Sequence, residues 1–236
     1  MNLASRGTFV ALLIFASIAG IARAQVALPP DEKATRGKSV PDVTLIGEDS
    51  TSFALSTLAG KPVLINPVFT TCQQTCPMIT QNLHGALASI GEPGVGYQVL
   101  TISFDPADGP AQLRAYRKKL DLPPGWKLAV ATPDNLKALL DAIDFNYEAL
   151  PQGGFVHANV VTVLSPTLTV SSYLHGVTYD PEQLRNAMWH AARESSLIRH
   201  YRGYVALAAL LALTTTIILL FSTRKKPAAA SHSQVG

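Results

Sequence analysis

The sequence predicts an α/β domain: a sheet covered by helices and ending in an antiparallel hairpin. Three observations carry that prediction. Short apolar runs of strand length alternate with longer runs of helical spacing. Pro77, Pro110, Pro133 and Pro181 each stand near the start of a helical run, where a missing N–H costs little. The chain has 236 residues, 47% hydrophobic and 15% charged, which allows one domain with appendages and excludes intrinsic disorder. With only two cysteines it is not a disulfide-dense scaffold either.

In chain order, Val43–Ile46 and Ser52–Leu55 flank a Gly-Glu-Asp-Ser turn and read as a hairpin. Pro62–Phe69 (PVLINPVF) is a buried strand. Pro77–Ile90 is a helix in which Ile79, Leu83, Leu87 and Ile90 recur at helical spacing, and Gly91 stops it. A strand at Tyr97–Phe104, a helix at Pro110–Leu120 and a strand at Lys127–Ala131 follow. Pro133–Phe145 is helical, with Leu136, Leu139, Leu140 and Ile143 as its apolar stripe. Asn159–Leu164 and Leu168–Leu174 are strands joined by Ser165-Pro-Thr, and a final helix runs from Pro181 to about Arg199. The order β-α-β-α-β-α-β-β-α, after an N-terminal hairpin, is a thioredoxin-like topology with an insertion.

The two ends read differently. Arg6, the apolar run Thr8–Ala22 and the small-x-small site Ala22-Arg23-Ala24 have the plan of a secretory signal peptide over residues 1–24. Residues 25–40 are Pro-rich, charged and aperiodic, as in a tether, and 41–201 form the domain. Gly203–Thr223 carries no charge and is bounded by Arg202 and by Arg224-Lys225-Lys226. It reads as a transmembrane helix with 224–236 as a cytoplasmic tail. The expected location is the bacterial inner membrane, single-pass, with the folded domain in the periplasm and the C-terminus in the cytoplasm.

Charge supports that division. The whole chain is +3, but Gln25–Tyr201 holds 13 basic and 16 acidic residues, a net −3. The basic excess sits at the ends, so a nucleic-acid partner is not expected.

Both cysteines fall in Thr71-Cys72-Gln73-Gln74-Thr75-Cys76-Pro77, between a strand and its helix. An exported compartment permits a disulfide, but a staple closing so short a loop removes little chain entropy. The position favours chemistry, because Cys76 is expected at a helix N-terminus, where the dipole and free N–H groups favour thiolate. Cys-x-x-x-Cys spacing can bring both sulfurs to one side, close enough to bridge or to grip one soft ion. Two thiolates alone suit Cu(I); a stable Cu(II) state wants an imidazole as well. His84 lies about two turns along the helix, His175 follows the last strand, His190 and His200 lie on the final helix, and His232 is in the tail. His157 ends the Gly153-Gly154-Phe155-Val156-His157 loop leading into a buried strand whose start faces the cysteine helix. A ligand and a plain loop residue both remain open for it.

With these elements the sequence resembles the Sco/SenC family of thioredoxin-like copper proteins. The matching residues are Gly60-Lys61-Pro62, Thr71-Cys72-x-x-x-Cys76-Pro77, Ser103-Phe104-Asp105-Pro106-x-Asp108, and His157 ahead of Val160–Leu164. They span Val40–Leu184. The resemblance implies that Cys72, Cys76 and His157 bind one copper ion, Cu(I) or Cu(II). It implies a membrane-tethered periplasmic copper chaperone that serves the CuA site of cytochrome c oxidase subunit II, or another periplasmic copper acceptor. There are two departures: Val156 stands where the family usually has Asp, and the membrane segment is expected at the C-terminus. Asp105 and Asp108 read as an Asp-Pro turn and a helix-start carboxylate.

A second function class is a thiol-disulfide oxidoreductase with Cys72 and Cys76 as its redox pair. A peroxiredoxin pattern fails, because counting from Pro67 puts Thr71 in place but Gln74 where the cysteine should be.

Overall fold

A computed structural model describes the backbone of residues 28–223 and the side chains of 28–194 and 204–218. The expected signal peptide and cytoplasmic tail lie outside the described residues.

The elements are α1 (Glu32–Thr35), β1 (Thr44–Gly47), β2 (Ser52–Ala54), a 3-10 turn (Leu55–Leu58), β3 (Val63–Val68), α2 (Thr75–Ala88), β4 (Gln98–Ser103) and α3 (Pro110–Leu120). They continue with β5 (Trp126–Ala131), α4 (Pro133–Ala142), β6 (Tyr147–Ala149), β7 (Phe155–His157), β8 (Val160–Leu164), β9 (Val170–His175) and α5 (Pro181–Thr223). Seven strands form one sheet in the order β2-β1-β5-β4-β3-β8-β9, and β6 pairs with β7 separately. β3, β4 and β5 are parallel; β8 pairs antiparallel with β3, and β9 pairs antiparallel with β8 to close the sheet. α3 and α4 pack on β5, α5 packs on β8 and β9, and α2 touches both α3 and α5. This is the thioredoxin-like α/β arrangement expected from the sequence.

Central strands are buried on both faces and so read as continuous apolar runs. Every residue of β3 is buried. Pro67 is tolerated in it because pairing with β8 ends at Ile65↔Thr162, so its missing N–H leaves no ladder bond unmade on that side. Three buried polar side chains are linked: Asn66 Nδ2 donates to Thr80 Oγ1 at 3.0 Å and to Thr101 Oγ1 at 3.3 Å, and Thr80 Oγ1 donates to the Cys76 carbonyl at 2.9 Å. These links pin the first turn of α2 to the middle of the sheet. Ahead of the sheet, Asp31 caps α1 through the Ala34 N–H, and Val40 is buried with its N–H donating to the Leu168 carbonyl.

The transmembrane helix expected over Gly203–Thr223 needs correction. That stretch forms the C-terminal part of α5, and among the described residues no helix is long and apolar enough to cross a membrane. The same helix begins as a charged, amphipathic element carrying Glu182, Arg185, Arg193 and Glu194.

Candidate metal centre

β3 delivers the chain to Phe69, and a tight turn follows in which the Cys72 N–H donates to the Phe69 carbonyl at 3.2 Å. α2 then starts at Thr75, two residues before Pro77. This puts Cys76 inside the first turn, where it is 1% exposed, while Cys72 stays half-buried in the loop. Neither cysteine is bridged.

The free N–H groups of the helix start therefore serve Cys72 rather than Cys76. The Cys76 N–H donates to Cys72 Sγ at 3.3 Å. Burial works against the Cys72 thiolate, but hydrogen bonds from the backbones of Cys76, Gln74 and Thr75 oppose it, and its pKa lies below the usual thiol value. Cys76 is shifted the other way: burial, together with the nearby Cys72 charge, pushes its thiol well up. The sequence placed the thiolate preference on Cys76; the structure moves it to Cys72, because the helix begins a residue before Cys76 and the loop folds Cys72 back over its end.

His157 is brought in by the β6–β7 hairpin, not by a flexible loop. Gly153 (φ +92°) and Gly154 (φ +80°) make its turn, a conformation that a side chain would strain. Tyr147 pairs with His157 across the hairpin, and Val156 faces Glu148. The imidazole stands against three aromatic rings, with centroids 5.3 Å from Phe104, 5.6 Å from Phe145 and 6.0 Å from Phe69. None of these three was singled out from the sequence as part of a site.

The tautomer follows from the partners. His157 Nδ1 lies 2.9 Å from the Ala158 carbonyl, which can only accept, so Nδ1 carries the proton. Nε2 is then a lone pair, and it lies 3.7 Å from Cys76 Sγ, so the protonated Cys76 thiol is the donor. Burial lowers the His157 pKa, with the Ala158 carbonyl opposing, so the ring is neutral at pH 7. A neutral imidazole with Nδ1 anchored and Nε2 free is the form that ligates metals.

The three candidate residues thus come together in sequence: Cys72 on Cys76, and Cys76 on His157. Among the described residues no group of three His, Cys, Asp or Glu side chains is already spaced to hold a metal ion. The donors themselves, two sulfurs and one imidazole, suit a soft ion such as Cu(I).

The other histidines are accounted for elsewhere. His84 sets its ring against Trp126 at 5.8 Å, His175 Nε2 meets Glu32 Oε1 at 2.8 Å, and His190 stacks edge-on to Trp189 at 5.0 Å. The side chains of His200 and His232 lie outside the described residues. Asp105 makes the expected turn, accepting from the Ala107 N–H at 2.8 Å. Asp108 does not cap α3, whose N-cap is Gly109. It reaches instead to Thr70 and Ser103, a role its sequence position did not show.

Comparison with known proteins places the chain in a family. The sequence pattern of the SCO1/SenC family matches residues 31–192. No curated protein matches the chain. Among solved structures, a protein of Aquifex aeolicus VF5 with a provisional description as an electron transfer protein is 38% identical over 66% of this chain and 94% of its own, with a TM-score of 0.64. Arabidopsis thaliana ScoI, solved with copper bound, is 23% identical over 65% of this chain and 98% of its own, at 0.56. BsSco, described as a member of the Sco family of cytochrome c oxidase assembly proteins and as having a disulfide switch, is 18% identical over 71% and 99%, at 0.57. The last two show the fold alone. With the family pattern spanning all but the ends of the chain, the protein belongs to the SCO1/SenC family.

Proposed function

We propose that the protein is a copper chaperone in which Cys72, Cys76 and His157 hold one copper ion for delivery to the CuA site of cytochrome c oxidase subunit II or to another periplasmic acceptor. The observation that carries the reading is the 3.7 Å approach of Cys76 Sγ to the unprotonated Nε2 of His157, with Cys72 Sγ on the N–H of Cys76. Membership of the SCO1/SenC family supports it. The export pattern Arg6, Thr8–Ala22 and Ala22-Arg23-Ala24 supports a periplasmic place of work.

Each donor has its own task. Cys72, more exposed and with the lower pKa, offers the first thiolate to an incoming ion and meets the acceptor first on release. Cys76 gives up the proton it shares with His157 as the ion takes that position. The Ala158 carbonyl keeps the ring turned so that Nε2 stays available, and Phe69, Phe104 and Phe145 exclude water behind it. Delivery proceeds by exchange of these donors for acceptor thiolates.

The inequality of the two thiols favours one alternative reading, a thiol-disulfide oxidoreductase. Cys72 thiolate would attack a partner disulfide and release one partner thiolate; Cys76 would then attack Cys72 Sγ, freeing the reduced partner and leaving a Cys72–Cys76 disulfide. That exchange does not use His157. Complementation of an oxidase-assembly defect by Cys72→Ser, Cys76→Ser and His157→Ala, with and without added copper, separates the two. Loss in all three, relieved by copper, supports the chaperone. Retained function in His157→Ala supports the oxidoreductase, and normal oxidase in all three rejects both.

A further inference from the structure

Asp108 lies outside the donor set, yet its carboxylate spends three hydrogen bonds on the loop that carries Cys72 and on the strand end beside it. The Thr70 N–H donates to Oδ2 at 2.8 Å, the Thr70 hydroxyl donates to Oδ1, and the Ser103 hydroxyl donates to Oδ2 at 2.6 Å. Thr70 is two residues before Cys72 and next to Phe69. Ser103 ends β4 and is next to Phe104. Phe69 and Phe104 are both walls of the His157 ring. One carboxylate therefore ties the start of the cysteine turn to the end of β4, and through the flanking rings it fixes the Cys72 loop relative to the imidazole.

An Asp at this position is not needed to build α3, whose cap is Gly109 and whose first residue is Pro110. Nor is it needed for the preceding turn, which Asp105 makes by itself. A carboxylate has four acceptor sites and no proton to donate, which suits it to hold an N–H and two hydroxyls at once through charge-assisted bonds; an amide in its place would lose the charge.

We propose that Asp108 is a positioning residue for the metal centre: it holds the Thr70–Cys72 turn in register with Cys76 and His157, so that the three donors close on one ion with little further ordering. This rests on the copper-binding reading above and adds to it a residue that touches none of the donors. Loosening the turn makes the bound state pay the ordering of Cys72, and changing a supporting hydrogen bond of this kind typically lowers metal affinity about 10–100-fold.

The test uses the reduced full-length chain, wild type and with Asp108→Ala, Asp108→Asn or Thr70→Val, and Cu(I) or Cu(II) alone as the probe. Three quantities are read: Cu(I) affinity by competition with a chromophoric chelator, the thiolate-to-Cu(II) absorption band, and amide exchange at Thr70 and Cys72 in the copper-free protein. Asp108→Ala is expected to bind Cu(I) about 10–100-fold more weakly, shift the band and speed exchange at both amides. Thr70→Val, which removes only the hydroxyl, moves each readout the same way by less, and added to Asp108→Ala it has no further effect. If Asp108→Ala does not fold, Asp108→Asn and Thr70→Val carry the same comparison. Wild-type affinity and an unshifted band in folded Asp108 variants would overturn the positioning role, even if Thr70 exchanged faster. A wild-type chain that itself fails to bind copper would reject the copper reading instead.

Discussion

Cys76 Sγ and His157 Nε2 lie 3.7 Å apart although 81 residues separate them in sequence, and they share one proton, held on the sulfur. The arrangement stands on two anchors: the Ala158 carbonyl at Nδ1, and the chain Asn66–Thr80–Cys76 carbonyl under α2. A cation in this place competes with a proton, not with water, and several consequences follow from that.

Copper uptake releases protons. Cys76, raised above the usual thiol range, is protonated at pH 7, while Cys72 is lowered and gives up a smaller fraction. Binding one Cu(I) at pH 7 should release about one to two protons, and affinity should rise with pH. Calorimetry in buffers of different ionisation enthalpy measures this; proton release near zero contradicts it.

The two thiols react unequally. At pH 7 and limiting iodoacetamide, Cys72 should be alkylated at least about tenfold faster than Cys76, since it is both more exposed and richer in thiolate. Peptide mass spectrometry of the reduced protein reads the ratio, and equal labelling would refute the assignment.

Stability depends on His157 in a defined pH window. Its folded pKa is lowered, so the unfolded chain takes up the proton first as pH falls. The contribution of the neutral ring is fully present above the unfolded value near 6.5 and is lost as pH drops through the folded value. Urea unfolding between about pH 7.5 and pH 4.5 should therefore show a decline in the copper-free wild type that is reduced in His157→Gln. Parallel curves for the two proteins would exclude this cause.

Phe104 supports both the core and the centre. It is fully buried and meets Phe69, Phe145, Tyr147, Phe155 and His157. Phe104→Ala should cost about 3–5 kcal/mol of stability by leaving a cavity. Chemical denaturation measures it, and a loss under about 1 kcal/mol would show that the hairpin collapses to fill the space.

The parts of this molecule that were legible in the sequence are those written in local periodicity. The apolar run around β3, the stripe Ile79-Leu83-Leu87 of α2 and the proline-marked helix starts all needed only neighbouring residues. Cys72 and Cys76 were legible because they flank a strand-to-helix turn. The β6–β7 hairpin was not: its strands are three residues each, β6 is exposed, and what seats it is an aromatic cluster drawn from Phe69, Phe104 and Phe145. The work of Asp108 was hidden for the same reason, since its partner Thr70 lies 38 residues away. The preference of Cys72 over Cys76 for the thiolate depended on which residue begins α2, a boundary that composition does not set. At the C-terminus an uncharged run suggested a span, whereas it continues a helix that begins with charged turns, and among the described residues no helix is long and apolar enough to cross a membrane.

The most direct measurement of the central claim is a competition titration of Cu(I) against the reduced full-length chain and its Cys72→Ser, Cys76→Ser and His157→Ala variants. The account predicts one tightly held copper per wild-type chain, a loss of about 100-fold or more (about 2.7 kcal/mol) for either cysteine variant and about tenfold or more for His157→Ala. Micromolar or weaker wild-type binding, or binding unchanged in Cys72→Ser and His157→Ala, would contradict it.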